Sequence, residues 1–333
     1  MSSPALAHSY GFDPTYGMSL PQLLAIEPPH PPADFVEFWQ QRYQAVIGLD
    51  AQPKLSHSYQ VRGHHRVHIL TYRSTQGVKI GGWLLIPLRT KPVRGVLIGH
   101  GYGGRDAPDA PETLAGLDDA VILFPCFRGM GLSPVAGLSA QPTQHVLHGI
   151  EDRDHYVHGG CVDDLWLGVS ALLQLFPRLA GRILVMGISF AGGISALAAP
   201  WDERINRLCI QWPSFGHHAL RIKLPCIGSG EAVRRYQNQH HFNVLQTLVY
   251  YDAATAARFL AICTLVVAAQ FDPVVPPPGQ FAIYNAIAPS SQRLYVQLAG
   301  HFDYPNQQAD ECALRPVVRD FITCPDADPE MIL

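Results

Sequence analysis

Charge is scarce in this chain. Only 15% of its 333 residues are Asp, Glu, Lys or Arg, and 24 basic against 27 acidic residues leave no dense basic run able to neutralise a series of phosphates. Nucleic acid is therefore not an expected partner. Long apolar runs are missing too: no stretch approaches the roughly 18 apolar residues of a membrane span, and the opening MSSPALAHSYGF lacks a basic segment followed by an apolar core. No membrane association is expected, and the expected location is the cytoplasm. CxxC pairs are also absent. The cysteines at 126, 161, 209, 226, 263, 312 and 324 are odd in number, and two of them sit in apolar strand-like runs, which favours buried free thiols over disulfides or zinc ligands.

What is present in quantity is apolar material, 47% of the residues, enough to bury a wide sheet between helices. Residues 1–33, rich in proline and aromatics, read as an extension clasping the core. A single α/β domain is expected over 34–324, followed by a tail over 325–333. Asp34 stands where it could cap a helix presenting Phe35, Phe38 and Trp39 on one face. VHILTYRS and GGWLLIPL, separated by TQG, predict two antiparallel strands joined by a turn.

From Gly95 onward the rhythm changes. The runs GVLIGH, AVILFP, RILVMG, RLCIQW, CTLVVAA and RLYVQLAG are too short for helices and alternate with helix-length segments. That alternation predicts βαβ units and a mostly parallel sheet covered on both faces. Helices are expected over Cys161–Phe176, Gly279–Ile287 and Gln307–Ile322. Two regions fall outside the repeat: 134–160, rich in His and Gly, and 213–250, which has no clear strand of its own. Insertions at such places often carry function or cover a site.

The strongest chemical signal is RILVMGISFAGG, where an apolar run ends at Gly187, Ser189 follows, and small residues lead into a helix-like segment. A nucleophile elbow needs this strand, turn and helix, with small residues two before and two after the serine; Gly187 and Ala191 satisfy it, alanine replacing the commoner glycine. Ser189 could instead merely cap a helix. A serine hydroxyl is a poor nucleophile until a base takes its proton and an acid orients that base, so two further residues must follow in the order Ser, Asp, His. Asp272 comes directly after CTLVVAAQF and His301 directly after RLYVQLAG, both in loops at predicted carboxyl strand ends, where ligands of open α/β sheets collect. Asp303 and Asp252 are rival acids that follow no core strand. The combination specifies the α/β-hydrolase fold and acyl transfer from a carboxylic ester, with a peptidase or amidase using the same triad and a non-catalytic binding protein of this fold as the alternatives.

Acyl transfer also needs donors for a tetrahedral oxyanion. The backbone N–H of Phe190 is one candidate, and the glycines at 101, 103 and 104 in VLIGHGYGGR would bring the N–H of Tyr102 close as the second. This glycine-rich loop lacks the G-x-G-x-x-G spacing and the G-K-[ST] ending of nucleotide sites. The histidines of HVLHGIEDRDHYVH match no metal-binding spacing, so neither metal nor cofactor is expected. His64, His65 and His68 read as surface residues, and Arg128 as a tie between loops through carbonyls.

Taken together, ADFVEFW, GWLLIP, HGYGGR, FRGMGLS, GIEDRDHYVHGG leading to Asp164, the elbow, LQTLVYYD, FDPVVPPPGQFAIYN and AGHFDY occur in the order found in the acetyl xylan esterases and cephalosporin C deacetylases, a family that this chain resembles over nearly its whole length. The resemblance implies a triad of Ser189, Asp272 and His301, oxyanion donors at Tyr102 and Phe190, removal of acetyl groups from small sugar esters and a cephalosporin side chain without a metal, and assembly into hexamers. Three departures bear on substrate identity. Phe190 and Ala191 stand where the family has glutamine and glycine, Trp212-Pro213 replaces a Tyr-Pro pair, and Gly159 replaces an arginine before the Asp164 helix. Phe190, Trp212 and Pro213 are accordingly the candidates for lining the substrate pocket.

Overall fold

The structure, a computed structural model, describes residues 6–109 and 116–323. The expected tail at 325–333 and Cys324 lie outside the described residues. Ten strands form one sheet: β1 (Lys54–Leu55), β2 (Gln60–Arg62), β3 (His65–Arg73), β4 (Lys79–Pro87), β5 (Arg94–Gly99), β6 (Ala120–Pro125), β7 (Ile183–Ile188), β8 (Ile205–Gln211), β9 (Cys263–Phe271) and β10 (Gln292–Ala299). Their order is β1-β3-β4-β6-β5-β7-β8-β9-β10, with β2 also on β3. β3 and β4 pair antiparallel through the turn that the TQG segment predicts, β4 pairs antiparallel with β6, and every pairing from β6 through β10 is parallel.

Alternation along the parallel strands divides the core between two faces. Leu97, Val185, Leu208 and Val266 join the larger cluster, under the helices Phe35–Ile47, Val157–Leu175, Phe190–Ala198 and Pro277–Ala286. Their neighbours Val96, Leu184, Cys209 and Leu265 face the helix Gln307–Thr323. Both faces are covered, which is why these strands read as continuous apolar runs.

Three local expectations are corrected. Asp34 precedes its helix but makes no capping hydrogen bond; its carboxylate accepts from Arg153 Nη1 at 2.8 Å and Tyr250 Oη at 2.6 Å. The helix expected from Cys161 begins at Val157, so Gly159 lies inside it. Glycine belongs there because two guanidinium groups lie against this turn: a Cβ on Gly159 would meet Arg42 at 2.7 Å, and one on Gly160 would meet Arg128 at 2.1 Å. His65 is buried, its Nε2 bonded to the carbonyl of Ala120, whereas His64 is exposed and His68 half-buried.

The described part of the N-terminal segment runs against the core. Tyr16 Oη donates to the carbonyl of Pro225, the carbonyl of Pro14 accepts from the backbone N–H of Asp272, and Asn285 holds the carbonyls of Leu23 and Ile26. Of the cysteines, Cys126, Cys161, Cys209 and Cys226 are buried free thiols, Cys263 is half-buried and Cys312 exposed.

Candidate active site

Parallel strands place their carboxyl ends on one edge of the sheet. β5 leads there into His100–Gly104, β7 into Ser189, β9 into Asp272, and β10 into Gly300 and His301.

Ser189 occupies a strained turn, with φ 53° and ψ −111°. Its backbone N–H donates to the carbonyl of Gln211, and its own carbonyl accepts from Ser214, so the turn is hooked onto the segment after β8. Small residues are compulsory around it. A Cβ on Gly187 would lie 2.5 Å from the backbone of Ala191, and one on Gly193 would lie 2.3 Å from the carbonyl of Ser214. Alanine is accommodated at 191 because Gly99 on the neighbouring strand has no side chain; a Cβ there would come within 2.4 Å of the Ala191 methyl.

Asp272 is fully buried. Its Oδ1 accepts from the backbone N–H groups of Val274 and Val275, and its Oδ2 from Gln280 Nε2 at 2.9 Å and His301 Nδ1 at 2.8 Å. An ionised carboxylate only accepts, so the Nδ1 of His301 carries the hydrogen and the lone pair of a neutral ring lies on Nε2. Asp272 is the one hydrogen-bond partner of the His301 ring among the described residues, and Ser189 Oγ has no protein partner there. Such contacts tighten when substrate binds. Gln280, which also donates to the carbonyl of Val275 and accepts from the N–H of Ala269, locks the acid in place. It lies within the FDPVVPPPGQFAIYN segment, yet nothing in the spacing singles out a glutamine as that lock.

Neither rival acid bonds to the histidine. Asp252 is buried and accepts from the backbone N–H groups of His217, His218, Ala254 and Thr255, a capping role. Asp303 is exposed and makes no bond to His301.

Neither the backbone N–H of Tyr102 nor that of Phe190 has a protein acceptor among the described residues, leaving both as donors. Their side chains form one packed unit beneath, with ring centroids 4.3 Å apart. Tyr102 Oη lies 2.9 Å from His145 Nδ1 and 3.1 Å from His158 Nε2. His145 Nε2 faces the carbonyl of Arg128, which can only accept, so a neutral His145 takes the tyrosine hydrogen on Nδ1 and His158 donates to the tyrosine oxygen. Burial pushes His145 down to about 4 and His158 well below the usual histidine range, so both rings are neutral at pH 7. The histidines of the 145–158 segment thus face Tyr102 or the surface, where His155 pairs with Asp152. This polar block had no signal in the sequence beyond the histidine count.

Arg128 binds side chains rather than the expected carbonyls. It pairs with the buried Asp164, Nη2 to Oδ1 at 2.7 Å and Nε to Oδ2 at 3.0 Å, and reaches Ser74, Thr75 and Gln76. Arg42, packed on Gly159, grips Asp163 with two bonds of 2.8 Å.

Two cavities border the site. One of about 370 Å³ is walled by His301 and Trp212, whose rings are 5.1 Å apart; the other, about 710 Å³, lies between β5, β7, β8 and the helix Gln307–Thr323. Trp212 stands in both walls. Phe190 and Pro213 stand in neither: the Phe190 ring is fully buried against Tyr102 and Phe127, and Pro213 lies against Gly192 of the elbow helix. Phe190 is therefore part of the support under the site, because its helix points the ring into the core.

Comparisons with known proteins bear on the fold and the family. The structure is similar to an acetyl xylan esterase from Paenibacillus sp. R4, with a TM-score of 0.76 and 23% identity over 90% of this chain and 99% of that one. It is also similar to acetyl xylan esterase 1 from Thermoanaerobacterium sp. JW/SL YS485, with a TM-score of 0.75 and 19% identity over 92% of this chain and 99% of that one. Both establish the α/β-hydrolase fold. The acetyl esterase Axe7A of Xylanibacter ruminicola is 23% identical over 162 residues, 47% of this chain, and the match spans only 36% of that longer protein. The model of the acetyl xylan esterase (AXE1) family matches residues 15–314, and the chain belongs to that family.

Proposed function

We propose that this protein is a serine carboxylic ester hydrolase that removes acetyl and similarly short acyl groups from small esters such as acetylated sugars. The observation that carries the proposal is the buried Asp272 bonded to His301 at the same sheet edge as the strained Ser189. In this reading His301 Nε2 takes the proton of Ser189 Oγ as the oxygen attacks the ester carbonyl. The backbone N–H groups of Tyr102 and Phe190 receive the negative charge that develops on the carbonyl oxygen. Asp272 holds the histidine tautomer and stabilises the imidazolium. His301 then returns the proton to the departing alcohol, leaving the acyl group on Ser189. Water activated by the same histidine releases the acid. Every step uses groups of this chain, so the proposal includes no metal and no cofactor. Trp212, in the wall of both cavities, is the substrate-pocket residue that the geometry favours.

Free thiols at the six described cysteines support a cytoplasmic location, and no helix of the described residues is long and apolar enough to cross a membrane. Assembly into a hexamer belongs to the proposal through the family resemblance, and so does slow action on a cephalosporin acetate, whose leaving alcohol carries a carboxylate. The test is fluorophosphonate labelling followed by peptide mass mapping, with hydrolysis of aryl acetate by wild type, Ser189→Ala and His301→Ala. Labelling of Ser189 and a loss of kcat by several orders of magnitude in both variants are expected. Near-wild-type hydrolysis by purified Ser189→Ala would remove the proposal.

A further inference from the structure

The proposed reaction requires the departing alcohol oxygen to lie within hydrogen-bond reach of the histidine that protonates it, while the acyl oxygen faces the N–H donors. Of the two cavities, the one of about 370 Å³ has His301 in its wall, whereas the larger has His100 and Gly101 of the loop that carries the Tyr102 donor, so the smaller is the one beside the group that protonates the alcohol. Four aromatic side chains enclose it: Tyr10, Trp212, Phe302 and Tyr304. Its acidic wall residues are Asp303 and Glu311, with neither lysine nor arginine among the described lining. Neither carboxylate is in a salt bridge among the described residues. Among the described residues, Glu311 accepts only from the neutral amide of Gln307.

Tyr10 comes from the N-terminal segment. Its ring meets Phe302 edge-on at 6.1 Å, His8 packs on Phe271 at 5.5 Å, and Pro14 is tied to the backbone of Asp272. The segment that clasps the core thus supplies one wall beside the candidate base.

We propose that this cavity is the leaving-alcohol subsite, that Tyr10 closes it, and that it admits uncharged or cationic alcohols while discriminating against anionic ones. The inference rests on the esterase reading above. Aromatic faces and two carboxylates outside any salt bridge among the described residues present negative potential to the ligand, and the one wall group that becomes a cation during the reaction, His301, is balanced by the buried Asp272 bonded to it. A like charge near a carboxylate that is exposed, as Asp303 is, or half-buried, as Glu311 is, costs about three- to fivefold in a water-like dielectric, so about tenfold for the two together, and less at high salt.

The experiment compares kcat/KM for two acetates of equal size, those of 4-hydroxyphenylacetamide and 4-hydroxyphenylacetate, in which a methylene insulates the leaving oxygen from the substituent. Wild type should prefer the amide by about tenfold at low ionic strength, and by clearly less at high salt. The Asp303→Asn, Glu311→Gln double variant should raise the rate on the anionic ester toward that on the neutral one. In Tyr10→Ala, KM for the neutral ester should rise severalfold with kcat within about twofold. Equal hydrolysis of the two esters by wild type, or an unchanged KM in Tyr10→Ala, overturns the subsite while leaving the esterase reading intact. Failure to hydrolyse either ester in a Ser189-dependent way removes the esterase reading and this subsite with it.

Discussion

Replacing Arg128 by leucine tests how the loop after β6 is held. Asp164 is fully buried on the helix Val157–Leu175, and three of the bonds to its carboxylate come from Arg128: Nη2, Nε and the backbone N–H. Ser74 Oγ supplies a further bond at 2.5 Å. Burial alone would lower the pKa of Arg128, but the charge and hydrogen bonds of Asp164 outweigh burial and raise it. Removing the guanidinium strands a buried carboxylate, a change that typically costs about 3–5 kcal/mol. An unfolding entropy of about 2.1 cal/mol/K per residue gives about 0.7 kcal/mol/K for 333 residues, so Tm should fall by about 4–7 °C. Adding Asp164→Asn should recover part of the loss, because the amide is uncharged and still offers an oxygen to the backbone N–H at position 128. Asp164→Asn alone should destabilise, since it leaves the guanidinium unpaired. Calorimetry on the four proteins gives the cycle. A fall of under 1 °C in Arg128→Leu, or a double variant less stable than both singles, would refute the reasoning.

Three other perturbations follow from the same geometry. Burial pushes His100 and His145 down to about 4 and His218 to about 3, below the unfolded value near 6.5. The unfolded chain therefore binds more protons across that window, and stability present above pH 6.5 should be lost as pH falls toward 4. His218→Gln, which keeps a donor for the carbonyl of Tyr251, should flatten the fall of Tm with pH; an identical slope would count against the assignment. Tyr102→Phe retains the backbone N–H but leaves His145 Nδ1 and His158 Nε2 without their partner, so kcat should drop about tenfold with KM within about twofold. Unchanged kcat in steady-state assays would show that the hydroxyl does not position the loop. Gly99→Ala should cost about 1–3 kcal/mol by driving a methyl onto that of Ala191, and Ala191→Gly in the same chain should restore most of it. Urea midpoints read both, and a double variant no better than Gly99→Ala would place the clash elsewhere.

Much of the architecture was legible in the sequence because parallel strands buried on both faces must be apolar throughout and short. β5 to β10 accordingly stand within two residues of the runs that predict them. The positions of Ser189, Asp272 and His301 were legible for a related reason: each follows such a run directly, and parallel strands deliver all their carboxyl ends to one edge. Contacts between segments distant in the chain were not legible. Gln280 locking Asp272, Tyr102 held between His145 and His158, and Tyr10 walling the cavity beside His301 join residues whose spacing carries no periodic signal. Gly159 and Gly160 read as a loop because isolated glycines weaken a helix. Two guanidinium groups packed against them make glycine the residue that fits, and only the tertiary structure brings Arg42 and Arg128 there. Phe190 shows the same division: its place after Ser189 is set by the chain, but the direction of its ring, into the core and away from both cavities, is set by the helix that begins with it.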